Sequence, residues 1–102
     1  MNRMAIIELA PAIFEDFERI FNHVARFDIR SAPSRIEEIT RAIRILESSP
    51  LIGRPVEGGR RELVIERGSH GYVALYRFVP EMDTVFLLAV RSQREAGYKH
   101  GT

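Results

Sequence analysis

The sequence predicts an α+β fold: a strand, a two-helix hairpin, then a three-stranded antiparallel meander, with the helices packed on one curled sheet. Three observations carry this expectation. Apolar residues recur at three- and four-residue steps in two stretches of the N-terminal half, the mark of helices with one buried stripe. Beyond Arg61 the period falls to two, as in strands. Clusters of Gly, Pro, Ser and Asp separate the segments. At 102 residues and 45% hydrophobic content, residues 1–102 are read as one domain with a core that needs no covalent staples.

The first strand is "MAIIELA", Met4 to Ala10, and Pro11 suits a first helical turn, where its missing N–H costs nothing. Ile13, Phe14, Phe17, Ile20, Phe21 and Val24 then form an inner stripe. Glu15, Asp16, Glu18, Arg19, Asn22 and Arg26 fill the outer face. "DIRSAPS" interrupts this helix. Ser34 with Glu37 reads as a capping box opening a second one, whose stripe is Ile36, Ile39, Ile43 and Leu46 and which Pro50 ends. Both helices are too short to be stable alone, so each needs a flat surface to lie on.

"PLIGRPVEGGR", Pro50 to Arg60, is a loop by its Gly and Pro content. "RELVIE" (Arg61 to Glu66) is a strand with Leu63 and Ile65 on one side, and "RGSHG" turns the chain. "YVALYRFV" (Tyr72 to Val79) puts Tyr72, Ala74, Tyr76 and Phe78 on one face and Val73, Leu75, Arg77 and Val79 on the other. "PEMD" turns it again, and "TVFLLAV" (Thr84 to Val90) is apolar at both parities, so it should be covered on both faces.

Several classes of function are excluded or disfavoured. There are no cysteines, so disulfides and thiolate metal sites are out; no metal or other cofactor is expected. No apolar run approaches the roughly 20 residues of a membrane span, and the N-terminal run is too short for a signal peptide. A soluble, cytoplasmic chain is expected. Net charge is +1, so bulk electrostatics do not point to nucleic acid. Of the 15 basic residues only Lys99 is not Arg, a count that base composition alone can produce; position has to carry any claim.

The positions gather at the end of the last strand. "FLLAVRSQREAGY" runs from buried hydrophobe into Arg91, Arg94 and Tyr98, and a rigid strand end can hold such groups toward a partner. The phrases "PLIGRP", "REL", "GYVALYRF" and "LLAVRSQREAGY", in this order from about Met4 to Tyr98, resemble the RelE/ParE superfamily, the toxin halves of bacterial type II toxin–antitoxin pairs. The resemblance implies a small toxin neutralised by a cognate antitoxin. RelE-like members cleave messenger RNA at the ribosome; ParE-like members poison DNA gyrase.

Metal-free RNA cleavage needs a base, an acid and converging cations around a crowded phosphate. On the RelE-like reading the resemblance makes Tyr98 and Arg94 the catalytic candidates. Departures from that branch are several: Val73 stands where it has an arginine, Val64 and Glu66 where it has basic residues, and its lysines are absent. This favours the ParE-like reading, in which the toxin does no chemistry and DNA gyrase is the target; the ribosome and its message are the targets of the alternative. Arg60, Arg61, Arg77, Arg91 and Arg94 are the candidate target- or antitoxin-binding residues. The tail "REAGYKHGT" is expected to cover little of the sheet, leaving it for an antitoxin or a second copy of the chain. His70 reads as a solvated turn residue rather than a base.

Overall fold

A computed structural model of the chain describes residues 4–66 and 71–99. Strand β1 (Ile6–Leu9) is followed by helices α1 (Ile13–Phe27) and α2 (Ala32–Ile43), then by β2 (Arg54–Val56), β3 (Arg60–Ile65), β4 (Tyr72–Val79) and β5 (Thr84–Ser92). The five strands form one sheet in the order β1-β5-β4-β3-β2, with β1 parallel to β5 and the other pairs antiparallel. The predicted strand, hairpin and meander are all present. No helix among the described residues is long and apolar enough to cross a membrane.

Pairing of the first strand with the last places β5 inside the sheet, which is why its sequence is apolar at both parities. A bulge completes the explanation. Leu75 pairs with Ala89 but Tyr76 pairs with Leu87, so Leu88 has no opposite residue. The extra residue shifts the alternation, and Val85, Leu87 and Val90 all reach the core under the helices. They meet Ile13 and Ile20 from α1, Ile39 and Ile43 from α2, Leu46 just beyond it, and Tyr72, Ala74 and Tyr76 from β4.

Four local expectations need correction. The segment read as a loop contains β2, which pairs with Arg60 to Glu62 of β3. It is only three residues long and includes Pro55, which lacks a ladder donor and is tolerated at a sheet edge. Helix α2 starts at Ala32, with Pro33 in its first turn, so Ser34 is already helical. Its hydroxyl donates to the Ser31 carbonyl at 3.1 Å instead of forming a capping box. Phe14, placed on the inner stripe, is 61% exposed. Asp16, placed on the wet face, is completely buried. It sits three residues after Ile13 and four before Ile20, in phase with the buried stripe. Of the predicted "RGSHG" turn only Gly71 is described; His70 lies outside the described residues.

Candidate functional site

Glu62, Leu75 and Ala89 are register partners across β3, β4 and β5, as are Val73 and Arg91. All point to the sheet face opposite the helices, because their neighbours Leu63, Ala74 and Val90 point toward them. Val73, Leu75 and Ala89 are nevertheless almost fully buried. The C-terminal tail crosses this face. It leaves β5 as a series of turns and bends rather than a helix and brings Tyr98 back across the sheet. The Tyr98 hydroxyl donates to Glu62 Oε2 at 2.5 Å, and its ring lies 4.9 Å from the Arg91 guanidinium carbon. One ring thus reaches from β5 to β3, so the tail covers more than its length suggests.

The charges in this cluster are matched. Glu62 Oε1 accepts from Arg54 Nε at 3.0 Å and Nη2 at 2.8 Å. Burial raises the pKa of Glu62, but the bonds from Tyr98 and Arg54 outweigh it and hold the carboxyl below its ordinary value. Burial, and then the adjacent Glu62 carboxylate, push the Tyr98 phenol far above its own ordinary value. Arg91 Nη1 donates to the carbonyls of Ser92 at 3.2 Å and Glu95 at 3.1 Å, while its buried Nε has no hydrogen-bond partner among the described residues. Arg91 and Tyr98 are therefore directed into the molecule rather than jutting from its margin.

A second polar network ties the start of the tail to α1. Arg19 Nε donates to Glu95 Oε1 at 2.8 Å, Nη1 to Asp16 Oδ1 at 2.6 Å and Nη2 to the Val90 carbonyl at 3.1 Å. Asp16 Oδ2 accepts the Val90 N–H at 3.0 Å, and Glu95 Oε2 accepts the Ser92 N–H at 2.7 Å. Burial pushes Glu95 up, but Arg19 and the Ser92 N–H prevail and hold it below the ordinary carboxylate range.

Glu62 and Glu95, both held below their ordinary values, set an acid limit. A carboxylate with a lowered folded-state pKa contributes stability that is complete above its unfolded pKa, about 4.3 for Glu. That contribution is lost as pH falls through the lower folded value. The urea midpoint should hold from neutral pH to about pH 5 and then fall steeply toward about pH 3. In Glu62→Gln, followed by circular dichroism, the acid-dependent part of the loss should shrink.

The remaining candidates are dispersed. Arg61 Nη1 donates to the carbonyls of Gly53 at 2.7 Å and Leu51 at 3.1 Å, bracing the entry to β2. Arg60 Nε donates to the Glu57 carbonyl at 2.9 Å. Arg77 is exposed on β4, and a Cβ on Gly59 would lie 3.0 Å from its Nη1. Arg94 is exposed and lines a groove of about 790 Å³ between α1 and the tail, with Arg35, Lys99, Ile20, Val24 and Phe27. The structure thus joins Tyr98 to Arg91 and sets Arg94 on a separate surface. Sequence reading missed Asp16, Glu62 and Arg54. The phase of Asp16 within the α1 stripe was the available signal for the first; the partners of the other two lie across strands and left none. Among the described residues no group of three or more His, Asp or Glu side chains could hold a metal ion.

Residues 7–97 match the family described as "ParE toxin of type II toxin-antitoxin system, parDE". Toxin RelE3 of Caulobacter vibrioides is 31% identical over 97 residues, spanning 90% of this chain and 98% of the relative. Two solved structures share the fold. The chromosomal ParDE system from P. aeruginosa aligns with a TM-score of 0.73 at 22% identity, over 87% of this chain and 96% of the other. The RelBE2 toxin–antitoxin complex from Mycobacterium tuberculosis aligns with a TM-score of 0.66 at 17% identity, over 91% of this chain and 95% of the other.

Proposed function

The chain belongs to the ParE toxin family of type II toxin–antitoxin systems, and from that premise we propose that it acts by binding its target rather than by chemistry, with DNA gyrase as the target and a cognate antitoxin holding it inactive. The observation that carries this reading is the Tyr98 cluster. On the RelE-like reading Tyr98 would have to exchange its proton with the reacting groups, and cations would have to be free to converge on a phosphate. Here the phenol is committed to Glu62, Glu62 to Arg54, and Arg91 to backbone carbonyls. A carboxylate at the centre of the cluster repels a phosphate. The cluster holds the tail on the sheet; Arg77 and Arg94 are the candidates exposed at the surface for a partner.

Induction of the chain and of Tyr98→Phe in cells tests this directly. Plasmid supercoiling should be disturbed while translation continues, and Tyr98→Phe should remain as toxic as the parent within about twofold. Loss of the hydroxyl, which donates to a carboxylate, should cost about 1.5–3 kcal/mol of stability. Messages cut at codon boundaries, with cutting abolished by Tyr98→Phe, would establish instead the RelE-like alternative, a ribosome-dependent mRNA endoribonuclease.

A further inference from the structure

The helix hairpin ends in a tip that takes no part in the Tyr98 cluster. Residues 26–30, where α1 gives way to α2, are all exposed. Phe27 is 81% exposed and Ile29 68%, the two most exposed large apolar side chains among the described residues. Apolar groups this large, two positions apart in water, are the kind of feature a partner covers.

The turn that presents them is built. The Asp28 N–H donates to the Val24 carbonyl at 2.9 Å and closes α1. The Asp28 carboxylate then accepts the Ser31 hydroxyl at 2.6 Å and the Arg30 N–H at 3.1 Å, and these bonds hold it below the ordinary carboxylate range. One short 3-10 turn, Ile29–Ser31, results, with the fully buried Ala32 at its base. His23 stands edge-on to the Phe27 ring at 5.4 Å. Asp28 is thus spent on the turn. Arg26 and Arg30 flank the two apolar side chains, and neither is paired with a carboxylate among the described residues. Arg26, Ile29 and Arg30 also stand outside the groove of about 790 Å³ between α1 and the tail, so the tip is a surface of its own.

We propose that this tip enters an apolar pocket rimmed by carboxylates on the toxin's target protein. The inference rests on the target-binding reading above. Phe27 and Ile29 would fill the pocket, and Arg26 and Arg30 would meet its rim. A turn already fixed by Asp28 loses little freedom on docking, which suits a shaped pocket. A nucleic acid would gain from the cations but nothing from Ile29. A second copy meeting tip to tip would set like charges against each other. A lipid surface would gain from only two apolar side chains, and binding there scales with the apolar area buried.

The test uses the full chain and purified DNA gyrase, with inhibition of plasmid supercoiling titrated at low and high salt. Ile29→Asp, Arg26→Glu and Arg30→Glu should each raise the half-inhibiting concentration roughly tenfold or more, and the two Arg reversals should also reduce its salt dependence. Met82→Asp, an exposed apolar position in the turn between β4 and β5, should inhibit within about twofold of the parent. Circular dichroism checks that the variants fold. All of them should bind the product of the adjacent reading frame, measured calorimetrically, within about twofold of the parent. Undiminished inhibition by the three tip variants overturns the inference and leaves the gyrase reading standing. A parent chain that does not inhibit overturns both. Loss of the adjacent product's binding in the tip variants, or binding of the parent through these residues to phosphatidylglycerol vesicles, assigns the tip to another partner and also overturns the inference.

Discussion

Asp16→Ala is expected to lower the unfolding free energy by about 3 kcal/mol without touching the apolar core. Asp16 is fully buried, and both of its oxygens are used. Truncation orphans the Val90 N–H inside the molecule, which by itself costs about 1–3 kcal/mol. It also removes one of the two carboxylates that hold Arg19. Arg19 is partly exposed and keeps Glu95, so the charge term is smaller than for a sealed ion pair. Asp16→Asn, which keeps an acceptor oxygen for Val90, should recover part of the loss. Urea unfolding of the two variants and of Arg19→Ala, arranged as a double-mutant cycle, measures the coupling. A loss below about 1 kcal/mol in Asp16→Ala would show that the buried carboxylate is not holding α1 to β5.

Gly53→Ala is expected to destabilise by about 2–3 kcal/mol. Where glycine has an ordinary backbone conformation, alanine commonly stabilises by about 0.4–1 kcal/mol through the unfolded chain, so the predicted sign is opposite to the usual one. Gly53 donates its N–H to the Tyr76 hydroxyl at 2.9 Å, and that hydroxyl donates to the Pro50 carbonyl at 2.8 Å. A methyl group on Gly53 would stand 2.6 Å from the same hydroxyl and 2.7 Å from the Glu62 carbonyl oxygen. The carbonyl belongs to β3 at the residue that pairs with Arg54. The strand cannot yield without opening the β2 edge, and Tyr76 cannot yield because it is fully buried. Gly97→Ala is the control, since nothing lies within 4 Å of a Cβ there. Thermal melts should show a drop of several degrees for Gly53→Ala and almost none for Gly97→Ala.

Both predictions concern groups that sequence reading handled poorly, and the reason is common to them. The α2 stripe of Ile39, Ile43 and Leu46 was legible because burial follows the helical repeat whatever the stripe packs against. The limits of β4, Tyr72 to Val79, were legible because turn residues bound it on both sides. Asp16 has the same phase as its apolar neighbours, but a charged residue in that phase is buried only if a donor waits for it. The donor is Val90, 74 residues away. Tyr98 similarly meets a carboxylate 36 residues earlier. The bulge at Leu88 has no counterpart in composition; it appears only when β5 is laid against β4.

Local pattern by itself determined the order of strands and helices apart from β2, the apolar stripes that face one another, and the motifs by which the chain resembles its family. Those features depend on neighbours a few residues apart, and their energetics is largely the removal of apolar surface from water, which has no direction. Tertiary structure alone decided which polar groups are spent inside the molecule and which remain at its surface. It turned Arg91 and Tyr98 inward and left Arg94 and Arg35 beside an open groove. Hydrogen bonds and ion pairs require an angle and a distance to one particular group, and that group is specified only when distant segments have packed.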